Sequence, residues 1–373
     1  MTPQTADTIE TGERPALSAA HPSELGIEEF SSYALIIDAR TPHEYEEDRL
    51  PGAINLPVVD DEEFEEVGTT YVNDRHAAYL VGAAYASSNL ATHIKTHITR
   101  YRPGDRLLVY CFRGGKRSRV WADTLRNIGF NTETLKGGWK EYRRWVLRSL
   151  ETLPTTFEYR VLSSLTGCGK TRLLHALELE GNQVLDLEGL ASHRGSLLGA
   201  VPGQPQPAQK SFDSALLARM RTFDPAKPVW VEAESKKVGN LQLPPALFEA
   251  MRRSRRIYLT APVSERVKLL LEDYPHYALE PLTMVEKLEA LKASVGREEV
   301  AFWRSLALDG QAARLFERVL LTHYDPSYRR ANQRSQVSGD ANVSIELPAL
   351  GSGQLVKAAI DLTRRFGARD PQV

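Results

Sequence analysis

The hydrophobic pattern of the chain alternates between short apolar runs and longer segments with apolar residues at helical spacing. Runs of this length, bounded by turn residues, are typical of strands in a parallel sheet that is covered on both faces. We predict strands at 34–40, 107–110, 132–135, 158–163, 183–188, 229–232 and 256–259. Strands that alternate with helices in this way indicate an α/β fold.

The same pattern divides the chain into two units joined by a short linker at 153–156. We predict a disordered tail at 1–23, a first α/β domain at 24–150 and a second α/β domain at 155–330. The second domain has a helical part at 263–308. Residues 331–373 are predicted as a looser C-terminal extension that finishes in a short helix. A length of 373 residues fits two domains of ordinary size.

Composition narrows the class of protein. The formal net charge is −1, so any nucleic-acid surface must be a local basic patch. Two cysteines far apart in the chain argue against a disulfide framework and favour a reducing cytoplasm. No apolar run approaches the roughly 18–20 residues of a membrane span, and the N-terminus lacks the pattern of a signal peptide. We therefore expect a cytoplasmic protein with no membrane partner. The densest basic run consists of Arg252, Arg253, Arg255 and Arg256.

The first candidate site is the loop that follows the strand at 107–110. A strand, a cysteine, a Gly-Gly turn and a helix come in that order, so backbone N–H groups and the positive end of the helix dipole can point at the thiol. Such surroundings stabilise a thiolate and can hold a tetrahedral anion. An inert buried cysteine is the competing interpretation, but the nearby cations favour a reactive one. We predict Cys111 as catalytic and, as substrate-binding, Arg113, Gly114, Gly115, Lys116, Arg117 and Ser118.

The second candidate site is a phosphate-binding loop at 164–171, which lies between a predicted strand and a predicted helix. Gly167 and Gly169 let the backbone approach phosphate oxygens, and Lys170 reaches a terminal phosphate. The Thr171 hydroxyl can hold Mg²⁺. The first position of this motif is normally glycine and is Ser164 here. The sequence therefore predicts a diphosphate or nucleotide site with no tightly bound cofactor.

Several other polar residues have competing interpretations. Asp38 and Arg40 are interpreted as a structural ion pair rather than a catalytic pair. The histidines at 74–100 lack companions at ligand spacing, so no metal centre is predicted. The segments 189–195 and 202–209 are predicted as mobile substrate loops. Four carboxylates at strand ends can either cap helices or orient a metal-bound water. They are Asp186, Glu188, Glu232 and Glu234.

The first domain resembles a rhodanese domain. The resemblance rests on residues 38–40, Glu44, residues 51–57, the Cys111 loop and residues 135–139. One difference is Arg49-Leu50, where rhodaneses often have histidine before the Pro-Gly pair. A larger difference is the separation of Cys111 and Arg117 by five residues, one more than in simple sulfurtransferases. That spacing, followed by Ser118, is also the signature of cysteine-dependent phosphatases, so the loop leaves open a chalcogen carrier and a phosphatase.

The combination of both domains resembles the tRNA 2-selenouridine synthase family. The resemblance covers roughly 25–330 and includes segments 110–118, 165–171, 186–195, 231–235 and 323–326, with Phe112 in place of the usual tryptophan. It implies that wobble 2-thiouridine of tRNA is first alkylated by geranyl diphosphate and that selenium from selenophosphate then replaces the S-geranyl group. It also implies that Cys111 is the selenium carrier, in a selenosulfide-type intermediate, and that geranyl diphosphate binds at the phosphate-binding loop. An enzyme that produces selenophosphate can be a partner.

Two alternatives stay open at this point. A phosphatase or sulfurtransferase fused to a nucleotide-binding module would use the same Cys111 and Arg117, and the phosphatase would also need a carboxylate near the loop. A regulatory module would sense a nucleotide at Lys170 and leave Cys111 idle.

Overall fold

The computed structural model describes residues 20–335 and 343–370. The predicted disordered tail lies outside this part as far as residue 19. The prediction is wrong for the last residues of the tail, because Ala20 is buried and Pro22–Leu25 form a 3₁₀ turn. Within the described ranges, no helix is long and apolar enough to cross a membrane.

The first domain is built on a sheet of parallel strands. They are β1 (Leu35–Asp38), β2 (Ala53–Asn55), β3 (Arg106–Tyr110) and β4 (Asn131–Thr134). Their spatial order is β2-β1-β3-β4. All of β1 and all of β3 after its first residue are buried, as expected for central strands covered on both faces. The carboxyl end of β3 therefore places Cys111 at the edge where such sheets present their sites.

Helices cover both faces of this sheet. In the described residues they are α1 (Pro42–Glu47), α2 (Asp61–Asn73), α3 (Arg75–Thr96), α4 (Lys116–Asn127) and α5 (Gly138–Thr152), with 3₁₀ turns at Phe30–Ser32, Ile98–Arg100 and Leu153–Thr156. Trp121 and Leu125 of α4 are fully buried against the sheet. Trp121 Nε1 also donates a hydrogen bond to Leu56 O at 2.9 Å. These contacts fix α4 and the loop at its N-terminus.

The second domain is built on a larger parallel sheet. Its strands are β5 (Tyr159–Ser164), β6 (Gln183–Leu185), β7 (Val229–Glu232), β10 (Arg255–Thr260) and β11 (Val343–Glu346), and a separate antiparallel hairpin consists of β8 (Lys237–Val238) and β9 (Leu241–Gln242). The spatial order is β11-β10-β5-β7-β6, with every pairing parallel. All six residues of β5 are buried, and the phosphate-binding loop begins at its end.

The helices of the second domain fall into a group around the sheet and a separate helical part. The group around the sheet is α6 (Lys170–Leu179), α7 (Leu187–Ala191), α8 (Gln209–Met220), α9 (Pro245–Arg253), α10 (Val263–Asp273) and α17 (Ser352–Phe366). The helical part is α11 (Pro275–Leu279), α12 (Pro281–Leu288), α13 (Lys292–Val295), α14 (Arg297–Leu308), α15 (Ala312–Val319) and α16 (Asp325–Ser335), with a 3₁₀ turn at Glu289–Leu291 and a π-helical turn at Leu320–Tyr324. The helical part has its own apolar core, centred on Trp303 and Phe316.

Two predictions about this domain are wrong. The extension after residue 331 is not loose where it is described, because β11 forms an edge of the sheet and the fifteen-residue α17 packs Leu355 and Leu362 into its core. The predicted strand at 183–188 ends at Leu185, because the Asp186 side chain accepts a hydrogen bond from Gly189 N and starts α7. Leu187 is therefore helical.

The two domains share one hydrophobic core. A single cluster joins Trp145 of α5 to Phe212 of α8. Ion pairs surround this contact: Arg143 binds Asp213, Arg221 binds Glu29 at 2.7 Å, and Lys210 binds Glu47 at 2.5 Å. The domains therefore pack as one body rather than as independent units on a linker.

Candidate active site

Cys111 is the first residue after β3, and its thiol is enclosed by the loop that leads into α4. The residue is only 3% exposed. Gly115 N donates a hydrogen bond to its sulfur at 3.2 Å, and Ser118 Oγ lies 3.2 Å from the same atom. The structure thus brings together the predicted Cys111, Gly115 and Ser118. The Gly115 N–H donor favours negative charge on the sulfur, whereas the Ser118 hydroxyl also donates to Gly115 O at 3.2 Å.

The turn at Gly137 and Gly138, at the start of α5, packs against the Cys111 loop. Trp139 N donates to Cys111 O at 2.8 Å, and the Trp139 ring stacks on Phe112 with centroids 5.5 Å apart. Gly138 has φ +61°, and a Cβ at this position would lie less than 3.0 Å from backbone atoms of Cys111, Arg113 and Gly114. Only glycine fits such an approach. The motif at 135–139 supported the rhodanese resemblance, but Gly138 was not predicted as a site residue.

The three cations of the loop have other partners. Arg117 binds both carboxylate oxygens of Glu44, with the shorter distance 2.5 Å. Lys116 Nζ lies 3.5 Å from the centroid of the Tyr79 ring, and the Arg113 guanidinium lies over Phe112. The contribution of these cations to an anion site stays a prediction, because each of them contacts a neighbouring side chain in this structure. The contacts described at the sulfur come from Gly115 N and the Ser118 hydroxyl.

Asp38 and Arg40 form the predicted structural ion pair. Both are buried, and Arg40 Nη2 lies 2.6 Å from Asp38 Oδ2. The same guanidinium donates to Asp48 O, and Tyr110 Oη donates to Asp38 Oδ2 at 2.6 Å. Burial, together with the Asp38 charge, raises the pKa of Tyr110 well above its ordinary value, so the phenol stays protonated. These contacts tie β1, β3 and the loop before β2 together.

The phosphate-binding loop joins β5 to α6. Gly167 and Gly169 have φ +80° and +74°, and a Cβ on Gly167 would press against Leu270 of α10. Lys170 Nζ lies 3.4 Å from Ser164 Oγ, so the serine that replaces the usual glycine contacts the lysine. Burial by itself would lower the pKa of Lys170, but Tyr328 and Glu188 raise it above its usual value. Lys170 is therefore a partly buried cation at the start of a helix, as a phosphate site requires.

A carboxylate cluster faces this loop. Thr171 Oγ1 donates to Glu188 Oε2 at 3.0 Å, and Glu188 N donates to Glu232 Oε1 at 2.7 Å. Burial raises the pKa of Glu232 well above its ordinary value. Burial and the neighbouring Glu188 raise the pKa of Glu234 to about 8. Asp186 caps α7 and binds His175 at 2.9 Å, so the capping interpretation is confirmed for this residue.

An open cleft of about 590 Å³, counting its mouth, surrounds the phosphate-binding loop. Its wall includes Arg194 and Ser196 from the segment after α7, together with Tyr274 and Tyr328. The Arg194 guanidinium lies 4.7 Å from the centroid of the Tyr274 ring. The two tyrosines were missed from the sequence, since neither belongs to a short motif, whereas Arg194 lies in a predicted substrate loop.

The arginine run at 252–256 does not form one basic face. Arg252 and Arg253 end α9, whereas Arg255 and Arg256 are in β10, where successive side chains point to opposite faces. Arg252 binds Glu249 at 3.0 Å, and Arg255 binds Asp370 at 3.1 Å. Burial lowers the pKa of Arg256. The four arginines therefore do not form one continuous basic patch.

Comparisons with known proteins agree with both halves of this description. Residues 26–144 match the family model of the rhodanese-like domain, and residues 157–299 match that of the tRNA 2-selenouridine synthase AAA domain. The tRNA 2-selenouridine synthase of Marinobacter nauticus is 31% identical over 79% of this chain and 87% of its own length. The chain belongs to the tRNA 2-selenouridine synthase family. The predicted order of a rhodanese-like domain and a P-loop-type α/β domain is confirmed.

Other members of the tRNA 2-selenouridine synthase family show similar agreement. The protein of that name from Nitrosomonas europaea is 34% identical over 67% of this chain and 67% of its own length. The one from Bdellovibrio bacteriovorus is 29% identical over 81% of this chain and 90% of its own length. Family membership makes this chain a selenium transferase that modifies tRNA. The individual roles of Cys111, Lys170 and Thr171 stay predictions.

Proposed function

We propose that this chain converts wobble 2-thiouridine of tRNA to 2-selenouridine through an S-geranyl intermediate. Geranyl diphosphate would bind at the phosphate-binding loop and selenophosphate at the Cys111 loop. The observation that supports the proposal is the presence of two separate loops, each at the start of a helix: Gly115 N contacts the Cys111 sulfur in one, and Lys170 lines the cleft after β5 in the other. Each of the two phosphorus-containing donors can therefore be assigned a loop of its own.

The alkylation step is assigned to the second domain. The thiocarbonyl sulfur of 2-thiouridine would attack C1 of the geranyl group, forming a C–S bond while the C–O bond to diphosphate breaks and the N3 proton of the base is released to solvent. Lys170 would stabilise the charge that develops on the departing diphosphate. Mg²⁺ on the same diphosphate would be held by Thr171, whose hydroxyl already contacts Glu188. No oxidant or nucleotide is needed for this step.

The selenium step is assigned to Cys111. Attack of its thiolate on the phosphorus of selenophosphate would form an S–P bond and break the P–Se bond, releasing selenide inside the loop. Selenide would then displace the S-geranyl group from the base, and water would remove the phosphoryl group from Cys111. Selenium keeps its oxidation level throughout, whereas a persistent S–Se bond would need an oxidant. In this sequence of steps Cys111 carries the phosphoryl group and its loop holds the released selenide, in place of the selenosulfide-type intermediate that the resemblance implies; the phosphatase-like length of the loop suits a phosphorus-centred attack.

The cysteine-phosphatase alternative has less support. Such an enzyme needs a protonated carboxyl group beside the loop to donate to the leaving group. Glu44 is the carboxylate in contact with Arg117, and both of its oxygens accept hydrogen bonds, from Arg117 and from Thr41 N. Glu44 is thus an acceptor in this arrangement.

Two single-step assays test the proposal, read by mass spectrometry of tRNA nucleosides. The first supplies 2-thiouridine tRNA and geranyl diphosphate, and the second supplies geranylated tRNA and selenophosphate. Lys170→Ala and Thr171→Ala should block the first step and retain the second, whereas Cys111→Ala should do the reverse. Lys268→Ala removes an exposed lysine of α10 and should retain both. Normal geranylation by Lys170→Ala, or normal selenation by Cys111→Ala, would contradict the corresponding assignment.

A further inference from the structure

Three aromatic side chains of α2 and α3 are exposed beside the Cys111 loop. Phe64, Tyr71 and Tyr79 are 49%, 42% and 48% exposed. Phe64 and Tyr71 are seven residues apart on α2 and therefore share one face of that helix, and Tyr79 is on α3. The Tyr71 and Tyr79 rings meet edge to face, with centroids 6.0 Å apart. We call these three rings the aromatic surface.

The cations of the Cys111 loop reach this aromatic surface. Lys116 Nζ lies 3.5 Å from the centroid of the Tyr79 ring. The Arg117 guanidinium carbon lies 5.1 Å from the centroid of the Phe64 ring. Lys116 and Arg117 are the first two residues of α4, directly after the loop's glycines. The aromatic surface is therefore continuous with the loop that encloses the thiol.

Positive charge continues to the far end of the surface. The Arg75 guanidinium carbon lies 5.4 Å from the centroid of the Tyr71 ring. Most acidic residues of α2 are one or two positions from Phe64 and so lie on other faces of the helix; they are Glu62, Glu63, Glu65 and Glu66. Asp61 is three positions away, and its carboxylate accepts a hydrogen bond from His43 N at 3.1 Å. The exposed face therefore presents rings and cations together.

We infer that the aromatic surface binds unpaired nucleotides of the tRNA, next to the one that enters the Cys111 loop, by stacking their bases on Phe64, Tyr71 and Tyr79. The inference rests on the proposed function and adds the surface that holds the RNA. Exposed rings interleaved with cations suit single-stranded nucleic acid, because every base has a face that can stack and every nucleotide carries a phosphate. Arg75 and Lys116 would contact the phosphates. The paired bases of a stem stack on one another and do not offer their faces to these rings.

An apolar protein partner fits this surface less well. Val72 and Leu80, the sequence neighbours of Tyr71 and Tyr79, are also exposed and add apolar area. An apolar partner, however, would remove the three cations over the rings from water without pairing them, which is costly. A polyanion pairs with the same cations. The charge of the surface therefore favours RNA.

Fluorescence anisotropy of the full chain with a labelled anticodon stem-loop RNA, and with a duplex made from its stem alone, tests the inference. Tyr71→Ala and Tyr79→Ala should each weaken stem-loop binding by about fivefold or more and leave duplex binding unchanged. Tyr79→Phe keeps the ring and should retain the stem-loop affinity. The matched control is Phe302→Ala in α14, since Phe302 is 43% exposed and has the Arg318 guanidinium 5.4 Å from its ring centroid. This control belongs to the helical part of the second domain and should bind both RNAs as the wild type does.

The charge is tested separately through the salt dependence. Arg75→Gln should reduce the slope of log affinity against log salt concentration by about 0.7, the value for one phosphate contact of a single strand. An unchanged slope would remove Arg75 from the contact with RNA and contradict that part of the inference.

Three results would overturn the inference as a whole. The first is stem-loop binding that Tyr71→Ala and Tyr79→Ala do not weaken. The second is an equal loss for the stem-loop and the duplex. The third is normal RNA binding with selenation lost only when a selenophosphate-producing enzyme delivers the donor, which would make the surface a protein interface. The proposed function fails on different evidence, namely if the wild-type chain yields no modified nucleoside in the two single-step assays.

Discussion

Gly138→Ala tests how the Cys111 loop is held. Gly138 combines φ +61° with a close approach to the loop, so the added Cβ would lie less than 3.0 Å from Cys111 O, Gly114 N and Arg113 N. All three are backbone atoms and cannot rotate away. The alanine can be accommodated only if the turn before α5 and the Cys111 loop move apart.

The magnitude follows from two separable costs. A left-handed backbone conformation costs a non-glycine residue about 1–2 kcal/mol. Overpacking against neighbours that cannot rotate adds about 1–3 kcal/mol. Gly52 provides the control, because it has φ +73° and nothing lies within 4 Å of the position that a Cβ would take there. Gly52→Ala should therefore lose about 1–2 kcal/mol of unfolding free energy, and Gly138→Ala about 2–5 kcal/mol.

Urea denaturation of both variants measures these costs, and the rate of Cys111 alkylation measures the state of the loop. Under conditions in which both variants are folded, Gly138→Ala should alter Cys111 alkylation and slow the selenation step, because Gly115 N no longer lies at the sulfur. Gly52→Ala should alter neither. If the two variants lost the same free energy and kept the same alkylation rate, the close packing behind the loop would not be what positions Cys111.

Two further predictions concern ionisable groups of the second domain. Arg266 binds both carboxylate oxygens of buried Asp325, at 2.6 and 3.0 Å, and donates to Thr166 O. In urea denaturation, Arg266→Met should lower the free energy of unfolding by about 3–5 kcal/mol, because it leaves the Asp325 charge without its partner. The double variant Arg266→Met/Asp325→Leu should recover part of that free energy. Folding raises the pKa of Glu234 from 4.5 to about 8, so the folded state binds the proton more tightly and wild-type stability falls as pH rises between these values. Glu234→Gln cannot ionise, so its unfolding free energy relative to wild type should increase from pH 4.5 to pH 8; a constant difference would show that the folded-state pKa is not raised.

The parts of the site that could be predicted are contiguous in sequence. Cys111, Gly115 and Ser118 lie within eight residues, and Gly167 to Thr171 within five, so a short motif contains their geometry. Short apolar runs likewise identified the inner strands, because a strand covered on both faces is apolar at most of its positions. In these places the residues of one short segment were sufficient to predict the local structure.

The parts that could not be predicted depend on contacts between distant segments. Arg117 meets Glu44 across 73 residues, which no spacing rule indicates. Leu198 and Phe316 line one cavity only because the helical part folds against the segment after α7. The strand β11 alternates between partly buried and exposed residues, as an edge strand does, so it lacks the continuous apolar run of the inner strands.

The shared core determines how the stability of either domain can be measured. Trp145 and Phe212 belong to one cluster, and Arg143 and Asp213 pair beside it, so exposure of either surface alone would leave apolar area and a buried charge without partners. The two domains are therefore expected to unfold in one transition, although each contains its own site. A loss of stability caused by Gly138→Ala would then lower the stability of the phosphate-binding loop as well. Only the alkylation rate, measured on folded protein, separates a local displacement of Cys111 from that global effect.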